Sequence, residues 1–310
     1  MKINAYLIFC FLFFDCMLAG NLSASSYLYV SSENSVVYRY DISTKTREAF
    51  ISGNGLSYPR GIEIGPDGTI YVAGRDSNAI FHYSSSGTFI NKIVTGVDSP
   101  YDLIYHTDGN IYVALVNNSV VNKYNGTTGA FLGTFASGNG LALPYGITFG
   151  PDGNFYVASR SSSRSVLRYN GSTGAFMDTF ASGNGLTDPV DIAFGPDGYL
   201  YVTNSSAYNV LRFDASTGAY EDVFATMTNN HPYSLDFGPD GYLYVSCYNT
   251  NKILRYDIST KTLVDEFATG ISGPTFLTFS SSGSFPSIPE PISFILLFCA
   301  VVSMLSRKSR

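Results

Sequence analysis

The chain has 310 residues, of which 45% are hydrophobic and 14% charged, enough apolar material for a large core and too little charge for a disordered chain. Its 24 Tyr, 23 Phe and 30 Gly, with no Trp, suit many short strands joined by tight turns rather than a helical bundle. Setting aside Lys2, Arg307, Lys308, Arg310, Asp15 and Glu290 on the terminal segments leaves 14 basic against 22 acidic residues and no basic run, which argues against a nucleic-acid partner.

In chain order, Lys2 precedes the apolar run Ala5 to Phe14, and small residues follow at Ala19, Gly20, Ser23 and Ala24. That order of charge, apolar stretch and cleavage region predicts a secretory signal over residues 1–24, cut after Ala24. Asp15 directly before Cys16 argues against a lipoprotein site. Cys10 and Cys16 fall in this segment and Cys299 in the C-terminal apolar stretch, so Cys247 stands alone in the body. A domain of this size is held by burial without a disulfide.

Tyr-Val pairs then recur at Tyr29, Tyr71, Tyr112, Tyr156, Tyr201 and Tyr244, spaced by 42, 41, 44, 45 and 43 residues. A period of that size predicts one four-stranded propeller blade per repeat. Each of the last five pairs follows a turn such as Gly150-Pro151-Asp152-Gly153, in which Pro presets φ, Asp bonds back to the backbone and Gly accepts positive φ. An innermost strand such as Gly146 to Phe149 precedes the turn; strands such as Phe155 to Val157, Ser165 to Tyr169 and Gly174 to Phe180 follow it. The first repeat begins at Tyr27 and lacks its innermost strand, whereas the last ends after Thr275 to Phe279 and lacks the other three. Joined, they predict an all-β six-bladed propeller over residues 25–285, closed by N-terminal strands pairing with a C-terminal strand.

Over about residues 26 to 284 this pattern resembles the NHL-repeat propellers and the wider six-bladed group of gluconolactonase-like and regucalcin-like proteins. The group spans enzymes and binding modules, so the resemblance implies fold more than activity. The lack of Trp sets the chain apart from WD40 and kelch propellers. Many NHL blades also carry an Asp soon after the Tyr-Val pair, where this chain has Ser32, Gly74, Leu115, Ser159, Asn204 and Cys247. No role of that Asp carries over.

Candidate functional residues fall in two groups. Counted from the Pro that opens each innermost strand, Asp102 and Asp191 hold the second position and Glu63 and Asp236 the fourth, so these acids are expected near the axis. They either satisfy backbone N–H groups and channel water or supply oxygen ligands to Ca²⁺ or Mg²⁺. On the loops crossing to each inner strand, Ser-Gly-Asn-Gly-Leu recurs around Asn54, Asn139 and Asn184, beside Tyr58, Tyr101, Tyr145 and Tyr233. The motif is either turn chemistry or part of a ring that holds sugars, with amides on hydroxyls and Tyr rings against apolar sugar faces. His231 lies on such a loop and joins the binding candidates. His82 shares a column with Arg39, Lys123, Arg168, Arg212 and Arg255 and reads as a structural or solvent-facing basic position; His106 begins a hairpin on the opposite face. No catalytic triad, phosphate loop or zinc spacing is visible, so no catalytic residue is assigned.

The chain ends with Pro289-Glu290-Pro291, an uncharged stretch over residues 292–305 and a basic tail over 306–310. This resembles the PEP-CTERM sorting signal, which implies membrane contact through residues 286–310, cleavage by an exosortase-type enzyme near Pro289 to Pro291, and release to the outer surface or extracellular matrix of a bacterium. The expected function is an exported, surface- or matrix-associated propeller that binds a glycan, peptide or matrix protein; the alternative is a metal-dependent lactonase-like hydrolase or lyase using the channel carboxylates.

Overall fold

The computed structural model describes residues 26–161 and 163–280. The expected signal with Ala24 and the expected tail with Pro289, Glu290 and Pro291 lie outside the described residues. Within them no helix is long and apolar enough to cross a membrane.

Six four-stranded antiparallel sheets form a closed ring, as the period predicts. The innermost strands of blades 1 to 5 are Pro59–Ile64, Pro100–Tyr105, Pro144–Phe149, Pro189–Phe194 and Pro232–Phe237. Blade 6 is composite: Pro274–Phe279 is its inner strand, followed outwards by Tyr27–Ser32, Val36–Asp41 and Arg47–Ser52. Val30 lies opposite Leu277 and Leu28 opposite Phe279, so the two ends of the described chain close the ring.

The Gly-Pro-Asp-Gly turns do more than reverse the chain. Gly153 takes φ 75°, where any side chain is strained. Asp152 then accepts the Asn154 N–H with one oxygen (3.0 Å) and the Tyr156 hydroxyl with the other (2.9 Å). Tyr112, Tyr201 and Tyr244 donate in the same way to Asp108, Asp197 and Asp240. In these four blades that explains the buried Tyr before the buried Val: its hydroxyl reaches the turn beneath it.

The basic column serves the same turns. Arg212 joins Asp197 at 3.2 Å to Asp222 at 2.8 Å on the outermost strand, and Arg255 joins Asp240 to Asp265. Lys45 and Lys261 reach from one blade to the next, onto Asp265 and Asp222. In blade 1 His82 takes the place of the cation. It stacks on Tyr71 with centroids 4.4 Å apart, and burial lowers its pKa, which fits the structural role expected of it.

The core consists of wedges between neighbouring blades. Tyr156, Val166, Phe180 and Leu186 of blade 3 meet Ile192, Leu200, Val202 and Phe213 of blade 4, and the other junctions repeat the arrangement. Each fully buried aliphatic side chain there contributes roughly 1.5–3 kcal/mol. The loop motif belongs to these wedges. Leu56, Leu141 and Leu186 are buried anchors, while Asn54, Asn139 and Asn184 sit exposed at turn apices with φ of 55°, 51° and 50°.

Candidate functional site

Two rings of side chains form the upper mouth of the channel, the end reached by the loops that cross to each inner strand. One ring comes from the residue just after each opening Pro: Arg60, Tyr101, Tyr145, Val190, Tyr233 and Thr275. The other comes from the fourth residue after the Tyr of each Tyr-Val pair: Glu33, Arg75, Val116, Arg160, Ser205 and Tyr248. A repeated backbone bond sets the second ring. The N–H of Arg75 donates to the Tyr58 carbonyl at 3.2 Å, that of Arg160 to Leu143 at 3.2 Å, and that of Tyr248 to His231 at 3.0 Å. These bonds pin the crossing loops at the rim and aim the side chains over the axis.

Between the rings lies a cavity of about 320 Å³ lined by Arg60, Arg75, Tyr101, Tyr145, Arg160, Ser205, His231, Tyr233, Tyr248 and Asn249. Of the residues expected to bind a ligand, Tyr101, Tyr145, Tyr233 and His231 line it. Tyr58 flanks it, with its ring under Arg60 and its hydroxyl 3.1 Å from that of Tyr248. Asn54, Asn139 and Asn184 do not line it. In place of the polar ring that the Ser-Gly-Asn-Gly-Leu loops predict, arginines line the mouth, because those loops expose their asparagines at turn apices and commit their leucines to the core.

The arginines differ in their company. Arg160 is paired with Asp188, with Nη2 to Oδ2 at 3.0 Å, and donates from Nη1 to the Tyr145 hydroxyl at 2.8 Å. Arg75 lies 5.4 Å from the centre of the Tyr58 ring and 3.8 Å from Asp76. Arg60 is 4% exposed, its guanidinium lies 4.5, 5.0 and 5.2 Å from the ring centres of Tyr58, Tyr101 and Tyr233, and its Nε and Nη1 have no hydrogen-bond partner among the described residues. A second depression, of about 650 Å³ and lined by Leu143, Arg160, Arg164, Thr187, Asp188 and Ser206 among others, shares Arg160 with the first.

At the floor of the mouth Phe276 joins Tyr101, Val116, Val190 and Tyr233 of the two rings in an apolar plug. Under it lies a lower cavity of about 330 Å³, which Glu63, Asp102, Asp191 and Asp236 all line, together with His106. All four acids expected near the axis line this one cavity, and the oxygens of two of them, Asp102 and Asp191, are engaged by hydrogen bonds. Asp102 accepts the N–H groups of Leu103 (2.9 Å) and, in the next blade, Ile147 (2.9 Å). Asp191 accepts Ile192 N–H (2.9 Å), Ser234 Oγ–H (2.6 Å) and Leu235 N–H (3.1 Å), and Asp236 accepts Phe237 N–H (2.8 Å). Among the described residues no group of three or more His, Cys, Asp and Glu is arranged to hold a metal ion. Asp102 and Asp191 instead bridge neighbouring blades.

Burial pushes the Glu63 carboxyl up to about 8, Asp236 to about 7 and Asp191 to about 6, and Asp102 well above the usual range. Mutual repulsion adds to this at Glu63, Asp102 and Asp236. In the unfolded chain these acids ionise near their ordinary values, so between roughly pH 4 and pH 8 the folded state holds more protons and stability falls as pH rises. The melting temperature of the propeller is therefore expected to be higher at about pH 5 than at about pH 8. A melting temperature flat or rising across that window would show that these carboxyls are ionised without penalty.

The fold and mouth define a six-bladed β-propeller with a cationic, aromatic upper cavity. A model of a repeat family of unknown function, DUF6923, matches residues 132–238, from the outer strand of blade 2 into blade 5. No curated protein matches the chain. The crystal structure of a nidogen/laminin complex contains a chain similar to this one at TM-score 0.71 and 17% identity, with 84% of this chain and 100% of that one covered. A protein of unknown function from Bacteroides caccae is similar at TM-score 0.63 and 14% identity, with 83% and 100% covered. At such identities the likeness carries the fold.

Proposed function

We propose that the chain is an exported bacterial binding propeller of the cell surface or extracellular matrix, which holds a glycan, peptide or matrix protein at its upper mouth. One observation supports this reading above the others: tyrosines and arginines from four blades converge on one cavity above a plugged channel. Cavities that bind are concave, largely aromatic and furnished with a few directed polar groups. The architecture is shared with a chain found in a nidogen/laminin complex.

Residues 1–24 act as the signal, 25–285 as the propeller and 286–310 as the PEP-CTERM-like sorting segment in this reading, with an exosortase-type enzyme as processing partner. The lactonase-like alternative draws no support from the lower cavity, where Asp102 and Asp191 already serve backbone and hydroxyl donors.

A panel of glycans, peptides and matrix proteins probed with the full chain tests the binding, alongside the intact mass of the protein recovered from the cell surface. Saturable binding lost in Tyr248→Ala but kept in Glu63→Gln is the expected result, with a mass lacking residues 1–24 and 292–310. Binding indifferent to Tyr248→Ala, or turnover of a lactone or ester lost with Asp236→Asn, would overturn the reading.

A further inference from the structure

We infer that the upper cavity selects a carboxylate-bearing sugar, one hexuronate unit of an acidic polysaccharide, and that the buried Arg60 guanidinium reads its carboxylate. The inference rests on the binding reading above and names the ligand class of that same site.

Arg60 carries the argument. A guanidinium taken out of water needs a partner, because burying an unpaired charge is among the most unfavourable things a fold does. Here Nε and Nη1 are both buried and unpartnered, and what holds the group in place is three tyrosine faces. Such cation–π contacts orient a guanidinium without consuming its hydrogen-bond donors. Each of its two planar edges, Nε with Nη2 and Nη1 with Nη2, matches a carboxylate two bonds at a time and includes one of those unpartnered nitrogens.

The surroundings leave that role to the ligand. Of the carboxylates near the mouth, Asp188 is paired with Arg160, and Glu33 accepts the hydroxyls of Tyr58 and Tyr248. Arg75 stands at the rim as a second cation, over the Tyr58 ring and with a long contact to Asp76. The positive mouth thus sits on an acidic body, with the acids of the channel held below the apolar plug.

A sugar ring fits better than an acidic peptide. The cavity is a compact well of about 320 Å³ at the end of a plugged channel, not an extended groove or open sheet edge of the kind peptides occupy. Tyr145 and Tyr248 offer rings for the apolar face of a pyranose, and Ser205, Asn249 and His231 offer groups for its hydroxyls.

Calorimetric titration of the full chain with tetragalacturonic acid, its methyl ester and a tetraglutamate peptide tests the inference. The acid is expected to bind roughly 10- to 100-fold more tightly than the ester, the factor due to a charge-assisted pair, and Arg60→Met to bring the two level. Arg60→Lys is expected to restore part of the preference, and Arg75→Ala to reduce it, which keeps the test decisive if Arg60→Met does not fold. Equal affinity for acid and ester overturns the carboxylate assignment and leaves the upper-mouth reading standing. Tighter binding of tetraglutamate overturns the sugar class. No binding of the acid overturns the inference whatever the panel shows, and binding of the acid that survives both Arg60→Met and Arg75→Ala overturns the inference and the site together.

Discussion

Deleting Pro274–Phe279 from the full chain is expected to abolish its cooperative thermal unfolding. This strand is the inner member of blade 6 and the only one that comes from the far end of the described chain. Without it, Tyr27–Ser32 presents an unpaired edge to the channel, and blades 5 and 1 lose the strand that stands between them. Phe276 leaves the plug and Leu277 leaves the core, each worth roughly 1.5–3 kcal/mol, along with a ladder of backbone hydrogen bonds. Thr275, which bonds to the carbonyls of Ser31 and Pro59, goes too. Against a total stability of about 5–15 kcal/mol, no cooperative fold survives that loss. Truncation after residue 285 retains every described strand and is expected to melt as the full chain does. Circular dichroism melting of the two deletions checks both statements, and a cooperative transition in the first would show that five blades close without the sixth.

The second large effect is expected at Asp191. Asp191→Ala removes the acceptor for Ser234 Oγ–H, Leu235 N–H and Ile192 N–H, all buried, and so uncouples blade 4 from blade 5. Breaking a buried charged network of this kind costs about 3–5 kcal/mol. For a domain of this size that lowers the melting temperature by roughly 6–15 °C. The loss is expected to be smaller at high pH, where the wild type must ionise a carboxyl whose pKa is raised to about 6. The converse substitution makes the same point from the other side. A Cβ at Gly146 would lie 2.5 Å from Asp191 Oδ1 and 2.7 Å from its Cα, so Gly146→Ala is expected to destabilise by about 1–3 kcal/mol through overpacking. If Asp191→Ala melts within about 2 °C of wild type, the blade-to-blade belt is not a stabilising element.

That Gly146–Asp191 relation also shows where the sequence was legible and where it was not. The period of the Tyr-Val pairs, the Gly-Pro-Asp-Gly turns and the split blade are local patterns, and each maps directly onto a strand or turn. The acids at Glu63, Asp102, Asp191 and Asp236 were placed in the channel by counting from Pro. Whether they met a metal or a backbone donor depended on the next blade, whose N–H groups at Ile147 and Leu235 no single repeat displays. The loop asparagines misled for a related reason: Asn54, Asn139 and Asn184 recur because the left-handed turn recurs, and the buried Leu beside each is what the repeat conserves in space. The ligand-facing rings show the opposite. Arg60 and Tyr101, or Arg75 and Tyr248, share a structural column but not a residue type, so no motif marks them. The signal was positional, one residue after Pro and four after the Tyr of Tyr-Val.

A ligand is expected to enter this propeller at the upper mouth. A crystal structure of the chain with the ligand that binds saturably tests this most directly. Electron density is expected between Arg60, Tyr145 and Tyr248, above the Phe276 plug. Density in the lower cavity, against Glu63 and Asp236 with the mouth empty, would contradict it.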